Sequence, residues 1–271
     1  MDGLTRWTGR APVAVRDLLA AVDAPVAFER TQVLATLTGA GVPLRRPGRL
    51  LAKLRPSLDS GEPGQIALAL SVLARFGTWP SASPLLPART STAVIMDARV
   101  LEALALHTSG ETERRRAAVV QLAESLLERQ DPDGVWENSR EVTAACAIAL
   151  ARISRRCHPI LRVTGNLRRT VKHLLETQRA DGSWGTGEDT AHAIQILVRC
   201  GPVGIDEHML EALCHGCAFL LRPDDCPVAT IRAVRVGALH TAAGSPTVRA
   251  GFKRFAPSRV HDRVDQLVPV E

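Results

Sequence analysis

Apolar residues recur along this chain at the three- and four-residue spacing of a helix face. They nowhere alternate one-on, one-off between turn signals, so the pattern predicts helices and no strands. Across residues 12–39 the stripe Val13, Leu18, Leu19 and Val22, then Val26, Phe28, Val33, Leu34 and Leu37, predicts one or two helices broken at Pro25. Residues 41–47 read as a loop bounded by Gly and Pro, and 50–58 as a short helix. After the turn Gly61-Glu62-Pro63-Gly64, residues 65–76 form a strongly apolar helix. A loop rich in Pro and Ser, 80–87, leads to Ser91-Thr92-Ala93-Val94-Ile95, which opens a helix reaching Leu106. Paired helices follow at 115–129 with 143–153, at 167–177 with 190–203, and in degenerate form at 209–221 with 230–241. The stretch from Gly244 is rich in Pro and Arg and predicts a partly irregular tail.

Within these pairs one segment occurs twice. Gln130-Asp131-Pro132-Asp133-Gly134-Val135-Trp136 precedes Glu141, Val142 and Thr143; Gln178-Arg179-Ala180-Asp181-Gly182-Ser183-Trp184 precedes Glu188, Asp189 and Thr190. Self-similarity at a period in the high forties marks a helical-pair repeat. One hairpin cannot bury its apolar faces alone, so about five or six must stack, and closing the stack into a ring removes its exposed ends. Each repeated residue has a structural task. Gly134 and Gly182 supply the turn conformation that other residues resist. Asp133 and Asp181 hydrogen-bond the turn backbone, and Trp136 and Trp184 put a flat ring across the junction of hairpins. Gln130 and Gln178 bond the start of the next helix, where orphan amides need partners. Thr143 and Thr190 start that helix, each with an acidic residue before it. Gly77-Thr78-Trp79-Pro80 reads as a decayed copy of the same turn.

Composition narrows the picture. Hydrophobic residues make up 45% and are led by Ala, Leu and Val, which suits packed helices. The formal net charge of +6 rests almost entirely on Arg, densest at Arg114-Arg115-Arg116, Arg155-Arg156 and Arg168-Arg169. These runs fit solvated helix ends, or a rim that holds an anion through the guanidinium fork. Nucleic acid is not the expected partner: no zinc-finger spacing, helix-turn-helix signature or aromatic platform is present. No apolar run is long enough to span a bilayer, and Met1 to Trp7 lacks the order of a signal peptide, so the expectation is a cytoplasmic protein with no integral membrane segment. Cys146 lies in an apolar helical stretch and reads as a small core residue.

The recurring Gln-x-x-Asp-Gly-x-Trp resembles the "QW" repeat of squalene–hopene and oxidosqualene cyclases, in the family of terpenoid cyclases and protein prenyltransferases. Two units match well, Gln130 to Trp136 and Gln178 to Trp184, two more match loosely, and the resemblance covers roughly residues 64–241. It implies an all-α fold, an α/α toroid of inner and outer helices around a central cavity. The organisation expected is 1–63 as N-terminal helices within or packing on the toroid, 64–243 as the repeat toroid, and 244–271 as the tail.

Class II members of that family protonate an alkene or epoxide with the middle Asp of Asp-x-Asp-Asp, usually followed by Thr-Ala at a helix start. This chain has no Asp-x-Asp-Asp. In Thr186-Gly187-Glu188-Asp189-Thr190-Ala191, Glu188 falls at the acid position with Asp189 beside it, and neighbouring carboxyls can share a proton. The alternative is helix capping, since Glu141 holds the same place in the preceding repeat. In Arg89-Thr90-Ser91-Thr92-Ala93 the acid positions hold Thr90 and Ser91. Asp97 is a second candidate acid if it is buried in its apolar helix, and an ordinary surface residue if it faces solvent. Cation cyclases line the cavity with aromatic faces. This chain has no Tyr, five Phe and four Trp, so a short isoprenoid or a single ring closure fits better than a multi-ring cyclisation. Phe76, Phe219 and Arg89 are the expected substrate contacts.

Two other branches supply alternatives. Prenyltransferases hold zinc with Asp-x-Cys and a distant His, which Asp224-Asp225-Cys226 with His240 or His261 mimics in a shortened loop. Cys214-His215-Gly216 resembles the zinc tripeptide of lanthipeptide cyclases, but the upstream Cys of that family is Gly185 here. The reading adopted is a small class II cyclase-like enzyme acting on an isoprenoid, completed by a partner subunit or a homodimer. It needs no cofactor; Mg2+ is an option with a diphosphate substrate, and Zn2+ at Cys214, His215 and Cys226 is the alternative. A toroid that binds a ligand or serves as a scaffold without catalysis is the other reading.

Overall fold

The computed structural model describes residues 27–42, 47–78, 93–107, 113–155, 163–200, 206–222 and 228–255. Among them every regular element is a helix: α1 Ala27–Gly39, α2 Pro47–Ala52, α3 Arg55–Leu58, α4 Pro63–Arg75, α5 Val94–Leu106, α6 Glu113–Glu128, α7 Arg140–Ser154, α8 Val163–Thr177, α9 Gly187–Cys200, α10 Glu207–Leu220, α11 Ala229–Ala243 and α12 Pro246–Phe255. The chain divides into two compact units, Gly48–His173, and Met1–Pro47 together with Leu174–Glu271.

In the unit 48–173, α5 packs against α4, α6 and α7. Helix α7 is buried on nearly every face, through Val142, Ala144, Cys146, Ala147, Ile148, Ala149, Leu150, Ala151 and Ile153. Helix α6 instead buries a single stripe of Arg115, Val119, Ala123 and Leu126. A helix apolar all round belongs inside, and one with a stripe covers it. The sequence therefore sorts each hairpin into a covering helix followed by an interior one. In the other unit α11 packs against α1, α9, α10 and α12, and α9 lies against α10.

The two copies of the repeated segment share their tryptophan, threonine and glutamine bonds. The indole N–H of Trp136 donates to Leu126 O at 2.7 Å, and that of Trp184 to Leu174 O at 2.7 Å. Both rings are buried. The backbone N–H of each Trp donates to a threonine hydroxyl, Thr143 or Thr190, at 3.1 Å. These threonines lie inside the first turn rather than capping it, and in α7 the cap is Ser139, which accepts from Val142 N–H. Gln130 and Gln178 do not reach the next helix start as expected. Their amide nitrogens close their own turn on Gly134 O (2.9 Å) and Gly182 O (3.0 Å), and tie it to Asn166 O (3.2 Å) or Ala212 O (2.8 Å) of the following covering helix. The amide is a donor, and carbonyls near the covering helix are within its reach.

The turn glycines serve that approach. Gly134 and Gly182 have φ of +93° and +88°. A Cβ there would come within 2.6 Å of backbone atoms of Arg169 and His215 respectively. Within the stretch from Gly244, expected to be partly irregular, residues 246–255 form a helix. Pro246 opens α12, where proline is tolerated. Val248 and Phe252, one turn apart, are buried, and Gly251 lets the helix close on Leu210 of α10.

Candidate functional site

Helix α9 begins two residues after the Trp184-Gly185 turn, and its start is a reciprocal cap. The backbone N–H of Asp189 donates to Thr186 Oγ1 at 3.1 Å. Asp189 Oδ2 accepts in return from Thr186 N–H at 3.0 Å and from its hydroxyl at 2.7 Å. This is capping-box geometry, and it commits the Asp189 carboxylate to satisfying orphan amides. Glu188 stands beside it in the first turn with its side chain 39% exposed.

One turn further along the same face is His192, whose Nε2 lies 3.9 Å from Glu188 Oε1. The His192 side chain is only 12% exposed, and neither ring nitrogen has a hydrogen-bond partner. Burial pushes this imidazole down to about 4, with Asp189 pulling weakly the other way. The ring is therefore neutral at pH 7. Arg235 of α11 brings its guanidinium against Gly187, 3.5 Å from where a Cβ would stand, and donates to Leu220 O at 3.0 Å. Burial lowers its proton affinity too.

The linkage sign for His192 follows directly. Its folded value is depressed below the ordinary 6.5, so its contribution to stability is complete above pH 6.5 and is lost as pH falls toward 4. The drop amounts to about 3 kcal/mol, or 1.36 kcal/mol per unit. Urea midpoints measured between pH 7 and 4 should fall steeply in the wild type and more gently in His192→Leu. A residual slope is expected from His240, which burial also lowers.

Asp97 lies in the other unit, in α5. It is buried, at 3% exposure, and forms an ion pair with Arg129 NH1 at 3.0 Å. The carboxyl is therefore not isolated in its apolar helix but faces the Arg129 guanidinium. Asp97→Asn removes the counter-charge of Arg129 and should lower unfolding stability by about 1.5–3 kcal/mol, since hydrogen bonds to charged groups are worth that much. Chemical denaturation measures it.

Phe76 follows the end of α4 and is 37% exposed. Phe219 is half-buried on α10, with the Arg222 guanidinium 5.2 Å from its ring centre. Arg89 and Cys226 fall outside the described residues, as do Asp224, Asp225 and His261. Cys214 is fully buried, and burial pushes its thiol up to about 12, the wrong direction for a metal thiolate. His215 next to it is exposed on a different face of α10. Among the described residues no group of three His, Cys, Asp or Glu side chains is arranged to hold a metal. The tripeptide has a packing explanation: Gly216 leaves room for the Trp184 ring, which a Cβ would meet at 2.7 Å, and the His215 backbone receives Gly182. Among the described residues no helix is long and apolar enough to cross a membrane.

No family model matches the chain. It is 31% identical over 224 residues to an ent-copalyl diphosphate synthase of Streptomyces sp. (strain KO-3988), covering 71% of this chain and 42% of that protein. It is 32% identical over 201 residues to a labda-7,13-dienyl diphosphate synthase of Streptomyces clavuligerus, covering 63% of this chain and 36% of that one. A solved ent-copalyl diphosphate synthase from Streptomyces platensis superposes with a TM-score of 0.69 at 27% identity, over 84% of this chain and 54% of that one. The chain belongs to the terpenoid cyclase superfamily. It spans less than half the length of the curated relatives it matches. The all-α fold class expected from the repeat is that of the cyclase structure it matches.

Around the start of α9, the sequence brought Glu188 and Asp189 forward and did not bring forward His192 or Arg235, which the structure places beside them. The four-residue step from Glu188 to His192 was visible as a shared helix face. Arg235 was not, because nothing local announces that α11 crosses at Gly187. The Asp97–Arg129 pair was equally silent, its partners 32 residues apart.

Proposed function

We propose that this chain is a class II terpenoid cyclase-like enzyme that starts cyclisation of an isoprenoid by protonating an alkene, with Glu188 as the acid. The observation that carries the reading is the division of labour at the start of α9. Asp189 closes the helix cap, while Glu188, at the acid position of the resembled motif, is not the carboxyl that closes it. Asp97 ranks behind Glu188 because of its ion pair with Arg129.

The reaction balances as an isomerisation. The Glu188 O–H bond breaks and its proton bonds to one alkene carbon, using the π electron pair. The other carbon becomes a cation, which a second alkene of the same substrate attacks to close the ring. Loss of a proton from the cyclised cation forms a new alkene, and a proton returns to Glu188. Nothing in this sequence cleaves a C–O bond, so a diphosphate survives it. Both curated relatives are named for diphosphate products, which puts a diphosphate-bearing isoprenoid first among substrates. Arg89, Phe76 and Phe219 are the proposed contacts for head group and chain. A partner subunit or a second copy of the chain is proposed as part of the enzyme.

Incubation with prenyl diphosphates of increasing chain length, followed by mass-spectrometric product search, tests the reading. The expected product has the substrate's mass and fewer double bonds. A folded protein that returns every substrate unchanged, alone and with its partner, would leave a ligand-binding toroid as the better account.

A further inference from the structure

We propose that Arg75 and Arg152 form a binding site for a phosphate-type oxyanion, with the Glu102 carboxylate holding the two guanidiniums together. The site lies wholly within the unit 48–173 and goes beyond the reading of Glu188, which stands in the other unit.

Three helices supply the side chains. Arg75 ends α4, Arg99 and Glu102 lie one turn apart on α5, and Arg152 lies in the last turn of α7. Helix α5 packs against both α4 and α7, which brings these positions together. Arg75 Nη2 donates to Glu102 Oε1 at 2.7 Å. Arg152 Nη2 lies 3.4 Å from the same oxygen. Beside them Arg99 Nη2 donates to Glu141 Oε1 at 3.4 Å. Arg99 and Glu102 make further contacts, so the distinctive feature of the cluster is carried by Arg75 and Arg152.

Two guanidiniums converge on one carboxylate oxygen. Each carries five N–H donors in a planar fork that matches a pair of acceptor atoms. Arg75 has, besides Glu102, only Ser71 O and Oγ at 3.4 and 3.5 Å. Arg152 has the approach to Glu102 alone, and its Nε is buried without a hydrogen-bond partner. A cation suits the last turn of a helix. That accounts for a charge at Arg152, but not for aiming it at an oxygen that Arg75 already takes. Burial lowers the proton affinity of Arg75, Glu102 works against it, and Arg152 lowers it again, so the two cations feel each other across the shared oxygen. One carboxylate offsets one of the two charges, and the surplus attracts a second anion. The side chains of Arg75 and Arg152 are 14% and 25% exposed, sheltered from salt yet open to a small ion. A phosphate group points several oxygens in different directions. It therefore reaches both forks at once, which the single oxygen of Glu102 does only at unequal distances.

Equilibrium dialysis of the whole chain against radiolabelled inorganic pyrophosphate reads the site without any turnover. Arg152→Gln should weaken binding about tenfold, the worth of one charge-assisted hydrogen bond. Glu102→Gln should tighten it, because the amide keeps an oxygen for Arg75 and removes the competing charge. A cluster that served only to clasp α4, α5 and α7 would show no such gain. Arg168→Gln, on the exposed face of α8, is the comparison for surface charge, and circular dichroism establishes that each variant is folded. No binding to the wild type, equal losses in Arg152→Gln and Arg168→Gln, or weaker binding in folded Glu102→Gln would each overturn the proposal. Displacement of the label by a prenyl diphosphate supports the site with a diphosphate ester as its occupant. Displacement by inorganic phosphate but not by the ester supports it with a free anion.

Discussion

Glu188→Gln should reduce cyclisation by at least about 10²–10⁴-fold, the range that a positioned acid contributes. The amide keeps the size and shape of the side chain but has no acidic proton, so binding of the substrate should change little. The loss should therefore appear in kcat and not in KM. Asp189→Asn is the matched comparison. Its Oδ1 still accepts from Thr186, so the cap survives in weakened form and activity should stay within a few-fold of wild type. The pair of variants separates a proton donor from a helix cap at adjacent positions. Steady-state kinetics, with circular dichroism to confirm folding, is sufficient. Equal losses in both would point to disruption of the α9 start and not to removal of an acid.

Gly182→Ala should be strongly destabilising, as should its counterpart Gly134→Ala. Two costs combine. The backbone at Gly182 has φ of +88°, which a Cβ disfavours by about 1–2 kcal/mol. The added carbon would also meet His215 O at 2.6 Å and its carbonyl carbon at 2.8 Å, and backbone cannot step aside as a flexible side chain can. Overpacking of this sort costs about 1–3 kcal/mol. The sum is about 2–5 kcal/mol, a large share of a domain's stability. Gly165→Ala, in α8, provides the contrast. Nothing lies within 4 Å of its added carbon, so the change should be neutral or stabilising by up to about 1 kcal/mol. Urea denaturation of the three variants measures the difference.

The helices were legible because each hairpin writes its burial into its spacing. The single stripe of α6 and the all-round apolar surface of α7 follow from residue order, and Trp136 and Trp184 sit in the buried turns that the repeat marked out. The turn chemistry was only half legible. That a glycine, a glutamine and a tryptophan recur together shows that they cooperate, but not which carbonyl each bond ends on. Those partners, Asn166, Ala212, Leu126 and Leu174, belong to the backbone of covering helices, and a backbone carbonyl leaves no trace in side-chain identity. α12 was hidden for a different reason. Counting Pro and Arg from Gly244 onward obscures the one-turn step from Val248 to Phe252 that seats the helix. At the site, Glu188 and Asp189 were readable from motif position, but the cap that ties Asp189 to Thr186 and the ion pair that ties Asp97 to Arg129 were not. Those partners are set by cap geometry and by helix crossings, which a linear pattern does not encode.

Conversion in heavy water tests the central claim most directly. Incubating the protein with a prenyl diphosphate in D2O and weighing the product should show one solvent deuterium on carbon in a cyclised molecule that still carries its diphosphate. A cyclised product free of deuterium, or one that has lost its diphosphate, would contradict initiation by a protein acid.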